Sequence, residues 1–179
     1  MPELPKYGPL PDSHCVPDVL TPNLRVVFCG TALGRLSARE KAYYAHPGNF
    51  FWRTLHAIGL TPRLLSPSEY TRVRAHGIGL TDLCKRHFGN DAELPGDAFD
   101  TTALREKILH YQPRILAFTS KTGAAAFLGK PTAQIPLGPQ KEQVGDTAIW
   151  VLSSPSGQAR IFWRQDIWQA LADDVLAKQ

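Results

Sequence analysis

The residues best placed to do chemistry lie in two loops, each directly after an apolar run typical of a β-strand. The first loop turns at Gly30 and continues through Thr31, and the second extends from Ser154 to Arg160. An open α/β sheet binds its ligand outside the carboxyl ends of its strands, so one sheet could bring both loops to the same edge. Glycine at such a turn lets the backbone approach a ligand and present N–H groups to it. On its own, the pattern also fits a flavodoxin-like nucleotide-binding domain.

A carboxylate near another predicted strand end is a candidate catalytic group. Asp82 lies near the carboxyl end of the run 78–83, where it could aim at a bond or at a water molecule. Pairing with the basic residues that follow it is the structural alternative. Glu40, on the loop that follows Gly30, is the rival catalytic carboxylate. Because Glu40 stands between two basic residues, its pattern favours a solvated, salt-bridged surface position.

The elements that position these residues are predicted from hydrophobic periodicity and from capping signals. The predicted strands are 24–29, 78–83, 114–118 and the two arms of a hairpin around Gly145-Asp146, of which the second is 148–152. The predicted helices are 49–58, a short helix from the capping box at Ser66 to before Gly77, a helix from the N-cap Asp100 to Tyr111, an Ala-rich helix ending at Gly129, and 163–176.

This alternation of strands and helices predicts a three-layer α/β/α sandwich with a central, mostly parallel sheet. A chain of 179 residues with 43% hydrophobic content fits one globular domain. Residues 1–22 are rich in proline and lack periodicity, so we expect an N-terminal extended arm followed by a single domain over 23–179.

Composition narrows the functional classes. The 20 Lys and Arg residues outnumber the 16 Asp and Glu residues, and a formal charge of +4 is compatible with a polyanionic partner or with an ordinary basic enzyme. The three cysteines are widely spaced, which indicates neither a disulfide framework nor a metal centre. No apolar run approaches the length of a membrane span, and no signal peptide is evident. We expect a soluble, intracellular, cytoplasmic protein that does not engage a membrane.

A longer motif makes the prediction more specific. The segment Tyr43-Tyr44-Ala45-His46-Pro47-Gly48-Asn49-Phe50-Phe51-Trp52 resembles the His-Pro-x-Asn-x-Phe-Trp segment of the mismatch-specific uracil and thymine DNA glycosylases, the family 2 branch of the uracil-DNA glycosylase superfamily. The segment Ser154-Pro155-Ser156-Gly157-Gln158-Ala159-Arg160 resembles the second motif of that branch. The resemblance extends from about Leu24 to Val175 and implies a four-stranded sheet between helices.

The resemblance also implies roles for individual residues. Tyr44 would stack on a flipped base, and Ser154 with the first-loop residues Gly30 and Thr31 would contact the base edge. Ser156, Gly157, Gln158 and Arg160 would hold the opened duplex, while Lys85 and Lys121 lie beyond strand ends and could meet phosphates. Gln158 departs from the more apolar wedge residues of the family, because an amide fills a base stack less well than an apolar group does.

A second departure concerns the chemistry itself. In the family branch the third residue of the first motif is an Asn that orients the attacking water, and this chain has Ala32 at that position. A carboxylate from another loop could substitute, backbone groups and leaving-group stabilisation could suffice, or the protein could bind DNA without cutting it. Asp82 is the best substitute, because its segment resembles Gly-x-Thr-Asp-Leu stretches at the same place in some of these glycosylases.

These observations predict a monofunctional glycosylase for uracil-containing DNA. It would flip uracil out of the duplex, hydrolyse the N-glycosidic bond and leave an abasic site. We expect no metal, no organic cofactor and a monomer. The alternative is a catalytically silent protein that binds DNA damage or mismatches on the same fold.

Overall fold

A five-stranded, mostly parallel sheet forms the centre of the protein in the computed structural model, which describes residues 3–177. Its strands are β2 (Val26–Gly30), β3 (Ile78–Asp82), β5 (Ile115–Phe118), β6 (Gly138–Val144) and β7 (Thr147–Val151), in the order β3-β2-β5-β7-β6. Only β6 pairs antiparallel in this sheet. A separate pair joins β1 (Gly8–Pro9) to β4 (His87–Phe88).

Helices cover both faces of the sheet. The α-helices are α1 (Arg35–Glu40), α2 (Phe51–Ala57), α3 (Thr101–Tyr111), α4 (Lys121–Leu128) and α5 (Gln165–Ala177). Short 3-10 helices span Asp12–His14, Pro67–His76, Asp91–Glu93, Thr132–Gln134 and Gly157–Phe162.

Side chains of β2 alternate between two buried clusters, as the period of a strand requires. Val26 and Phe28 pack with α2, α5 and the 3-10 helix Pro67–His76 on one face. Val27 and Cys29 pack with α3 and α4 on the other face. Both faces of the sheet are therefore buried, which explains why its central strands are almost continuously apolar.

The predicted three-layer α/β fold is confirmed, and the helix boundaries follow their capping signals. The Ser66 capping box begins the helix Pro67–His76, which ends at Gly77 in the left-handed conformation, with φ of 69°. The Asp100 carboxylate accepts a hydrogen bond from the amide of Ala103 at the start of α3. The expected strand count of four is corrected to five, because the first hairpin arm pairs with β7 along Gly138–Val144 and extends the sheet.

The N-terminal segment packs against the domain within the part of the chain that is described. Val16 is fully buried, and Val19 forms an isolated antiparallel bridge with Leu80 of β3. The Asp18 carboxylate reaches Lys107 of α3, with 2.7 Å between Oδ2 and Nζ. The boundary between an arm over 1–22 and a domain over 23–179 stays a prediction, and its outer ends, residues 1–2 and 178–179, lie outside the described residues.

Candidate functional site

A large groove of about 1790 Å³ opens at the carboxyl ends of the parallel strands. Both predicted loops line it, as expected from the position of ligand sites in open α/β sheets. The predicted site residues that line the groove are Gly30, Thr31, Tyr44, Asp82, Lys121, Ser154, Ser156, Gly157, Gln158 and Arg160. Ala32 lines it as well.

Direct contacts join the two loops into one wall of the groove. The amide of Phe50 donates a hydrogen bond of 2.8 Å to the carbonyl oxygen of Pro155. A Cβ atom at Gly157 would lie only 3.0 Å from the carbonyl oxygen of Gly48, so the second loop lies very close to the first. His46 stabilises the first loop locally, because its Nδ1 accepts a hydrogen bond of 2.9 Å from the amide of Gly48.

Tyr44 is held in an unusual backbone conformation beside the groove. Its φ of 52° lies in the left-handed region, which is uncommon for a residue with a large side chain. One face of its ring stacks on Phe51, with 3.9 Å between ring centroids, so the opposite face is the one available to a ligand. Its hydroxyl lies 3.3 Å from Oγ1 of Thr119. Burial and the nearby Asp82 raise the pKa of this hydroxyl well above its ordinary value, which keeps it protonated.

Asp82 lies at the floor of the groove, at the last residue of β3. The parallel register pairs it with Gly30 of β2, and a Cβ atom at Gly30 would collide with Oδ1 of the carboxylate. Asp82 is 5% exposed, and the neighbouring Gly30 backbone lowers the pKa of its carboxyl group. Oδ2 is buried and has no hydrogen-bond partner within residues 3–177. An unpaired buried carboxylate oxygen is costly, and this one lies at a groove where a bound molecule could pair with it.

Burial raises the pKa of Asp82 to about 6, against the lowering effect of the Lys85 ammonium. The ionised carboxylate therefore predominates at neutral pH, although it is a stronger base than an exposed aspartate. The site can thus present an ionised carboxylate that is able to accept a proton or to stabilise an adjacent positive charge.

A cluster of charged side chains lies behind Asp82. Lys85 Nζ lies 2.9 Å from Oδ1 of Asp18, and it also donates to the carbonyl of Val16 and to the Tyr43 hydroxyl. The Thr81 hydroxyl donates a hydrogen bond of 2.8 Å to the same Asp18 oxygen. Although burial disfavours its ammonium, Asp82 and Asp18 raise the pKa of Lys85, so this lysine keeps its charge.

Lys85 and Glu40, two of the predicted residues, are not among those that line the groove. Three oxygen atoms bind the ammonium of Lys85, and they belong to the Asp18 carboxylate, the Val16 carbonyl and the Tyr43 hydroxyl. The Glu40 carboxylate is half-exposed and pairs with Arg39 at 3.0 Å, which matches the surface alternative for this residue.

Side chains of the second loop form local turns at the groove wall. The Ser154 hydroxyl accepts a hydrogen bond of 3.3 Å from the amide of Ser156. The Ser156 hydroxyl accepts in turn from the amide of Gln158 and caps the 3-10 helix Gly157–Phe162. The guanidinium of Arg160 lies over the Phe50 ring, 5.4 Å from its centroid, and Arg53 lies 5.1 Å from the same centroid. The rim of this wall is therefore cationic.

Sequence reasoning missed two groove residues. Asp91 accepts a hydrogen bond of 2.5 Å from the Thr31 hydroxyl, and Thr119 donates to the carbonyl of Cys29. Thr119 directly follows β5, so the rule that ligand groups follow parallel strands could have identified it. Asp91 begins the short 3-10 helix Asp91–Glu93, and no sequence pattern predicts its approach to Thr31.

The described residues hold no group of three or more His, Cys, Asp or Glu side chains arranged to bind a metal ion. Among the helices within residues 3–177, none is long and apolar enough to cross a membrane.

Two comparisons relate this chain to known proteins. The family model of the uracil DNA glycosylase superfamily matches residues 17–172. The fold is similar to the solution structure of a candidate uracil DNA glycosylase from Methanosarcina acetivorans, with a TM-score of 0.61 and 21% sequence identity. That match covers 90% of this chain and 97% of the other.

Proposed function

Because this chain belongs to the uracil DNA glycosylase superfamily, we propose that it removes uracil from DNA as a monofunctional glycosylase of the mismatch-specific branch. It flips the nucleotide into the groove, hydrolyses the bond between the base and C1′ of the sugar, and leaves an abasic site. A mismatched uracil costs less to extrude than a paired one, which favours deaminated bases as targets.

The observation that carries this proposal is the buried Asp82 carboxylate, with one oxygen unpaired, at the floor of the groove. Cleavage of a glycosidic bond passes through a state with positive charge on the sugar. The ionised carboxylate stabilises that charge and accepts a proton from the attacking water. The water oxygen bonds to C1′, and the electron pair of the broken bond leaves with the uracil. Asp82 thereby takes the place of the polar group that Ala32 lacks.

The base is held between the two loops. The free face of Tyr44 stacks on uracil, an interaction of about 1–3 kcal/mol per base. Backbone groups of Gly30 and Thr31, together with Ser154, contact the polar edge of the base. The groove-lining positions of these four residues support the assignment.

The opened strand is held at the rim. Ser156, Gly157 and Gln158 face the gap in the duplex, and Arg160 contacts the backbone or the widowed strand. Lys121, at the first turn of α4, contacts a phosphate. Lys85 has a different role, because its ion pair with Asp18 fixes a positive charge near Asp82.

The reaction needs no metal or organic cofactor in this scheme, and a monomer suffices because one chain supplies every proposed group. We expect excision to persist in excess chelator and at a protein concentration where sedimentation detects only monomer. Loss of excision in chelator that is restored by a divalent cation would contradict it.

Ala32 favours one second candidate function. A protein without a polar group at this position could recognise damaged or mismatched DNA on the same surface without breaking a bond. The family membership would be the same, and only the chemistry would be absent.

The test is incubation of the protein with a duplex that carries one uracil, followed by alkali. We expect strand scission at the uracil position only, and release of free uracil detected by chromatography. Binding without scission supports the silent binder. A DNA affinity that does not fall with salt would argue against both candidates, since phosphate contacts make affinity strongly salt-dependent.

A further inference from the structure

Two large apolar side chains at the groove are unusually exposed. Ile161 is 87% exposed and Phe162 is 71% exposed, whereas the other exposed large hydrophobic residues of the described chain reach at most 52%. Both residues line the groove. Adjacent exposed apolar residues at a ligand site are a typical feature of an interaction surface.

The turn that carries Ile161 and Phe162 is fixed by ring packing and by hydrogen bonds of the flanking residues. Trp163 packs on Phe50 and Trp168, with centroid distances of 5.1 Å and 5.5 Å. Its amide donates a hydrogen bond of 3.2 Å to the carbonyl of Arg160. The buried Ser153 hydroxyl accepts from the amide of Arg164 at 3.0 Å. Because residues on both sides are fixed, Ile161 and Phe162 project from a rigid turn.

The charges around the pair fit a polyanion with an apolar interior. Arg160 precedes the pair directly, and Lys121 lies on the same groove. Neither side chain has a carboxylate partner within residues 3–177. A DNA duplex has phosphates outside and stacked bases inside, so it satisfies cations and apolar groups together. A second copy of this surface would instead bring like charges against each other.

We propose that Ile161 and Phe162 act as an apolar wedge that enters the base stack of duplex DNA beside the extruded nucleotide. The polar Gln158, on the same 3-10 turn, is then free to hydrogen-bond the orphaned base. The inference rests on the proposed glycosylase function, because it names the element that opens the duplex for that reaction.

The test compares uracil excision from duplex and from single-stranded DNA. A wedge matters only where a stack must be opened, so I161S/F162S should lower the ratio of duplex to single-strand kcat/KM by about 10- to 100-fold. The conservative variant I161V/F162L should keep the ratio close to that of the wild type. L64S, which removes another exposed apolar side chain away from the groove, should leave the ratio unchanged. An unchanged ratio in I161S/F162S would overturn the proposal.

A binding measurement separates failure of the wedge from failure of the enzyme. With 2-aminopurine next to the uracil, the wild type should raise its fluorescence by unstacking it, and I161S/F162S should abolish the rise. This readout decides the proposal even if the wild type excises nothing. A fluorescence rise that persists in I161S/F162S contradicts the wedge. A wild-type dimer that I161S/F162S converts to monomer without altering the fluorescence also contradicts it.

Discussion

The floor and the rim of the groove are built in different ways. At the floor, Ala32 offers no polar side chain, and the buried Asp82 of the neighbouring strand lines the same groove. At the rim, the polar Gln158 lies on a 3-10 turn, and the exposed Ile161 and Phe162 follow on the same turn. The floor groups are fixed by strand register, whereas the rim groups depend on one short turn. We therefore expect floor substitutions to change the chemical step and rim substitutions to change the opening of DNA.

The largest effect is expected at the floor, from Asp82→Asn. Loss of the carboxylate should lower single-turnover excision by about 10²- to 10⁴-fold, because general-base and electrostatic assistance is removed. The dissociation constant for a uracil duplex should change little. Glu40→Gln is the matched control, since this carboxylate pairs with Arg39 away from the groove. Excision that survives Asp82→Asn but disappears in Glu40→Gln would reverse the assignment.

Gly30→Ala tests the same floor without removing the carboxylate. The new Cβ atom would collide with Oδ1 of Asp82 and displace it, so excision should fall by about 100-fold while the fold is retained. Gly34→Ala in the same loop meets no atom within 4 Å and should behave as the wild type. The comparison requires quench-flow rates and circular dichroism for both variants. Equal rates would show that the carboxylate position is not critical.

Tyr44→Ala removes the stacking surface between floor and rim. The expected loss in kcat/KM is about 10- to 100-fold, from the stacking free energy of one base. Tyr44→Phe keeps the ring and should retain most of the activity. Tyr7→Ala removes a half-exposed tyrosine outside the groove and serves as control. A Tyr44→Phe variant as impaired as Tyr44→Ala would assign the role to the hydroxyl instead of the ring.

The smallest expected effect is on the pH dependence of the unfolding free energy. This dependence comes from the floor of the groove and not from the rim. The pKa of Asp82 is raised from 3.8 to about 6, so the folded state binds its proton more tightly than the unfolded state does. The wild type should therefore lose about 1–3 kcal/mol of unfolding free energy as pH rises from about 4 to above 6. Asp82→Asn should lack this loss, whereas I161S/F162S should retain it. Urea titrations at several pH values measure the difference, and a parallel pH dependence in Asp82→Asn would contradict it.

Much of the fold could be predicted because its signals are local. The apolar runs of β2 and β5, the Ser66 capping box and the Asp100 N-cap each depend on neighbouring residues. Both arms of the hairpin around Gly145-Asp146 were predicted as well, and only the count of four strands implied by the family resemblance left β6 out of the sheet.

The groove loops could also be predicted, since parallel strands bring their carboxyl ends to one edge. The cluster around Asp18 could not, because this residue lies 89 positions from Lys107 and no local pattern links the two. The contact between Thr31 and Asp91 spans 60 positions and was missed for the same reason. Lys85 pairs with Asp18 in this cluster. Because no local pattern indicates that ion pair, the sequence suggested a phosphate contact for Lys85.

The pH dependence of the chemical step tests the role of Asp82 most directly. Single-turnover excision of uracil from a duplex, measured from pH 4.5 to 8.5, should rise about tenfold per pH unit below about 6 and level off above it, because only the ionised carboxylate is active. Lys85→Met should move the inflection to higher pH, since it removes the charge that lowers this pKa. The residual rate of Asp82→Asn should lack the inflection. A wild-type rate that is flat or falling through this range, or an inflection that persists in Asp82→Asn, would contradict the assignment of the chemistry to Asp82.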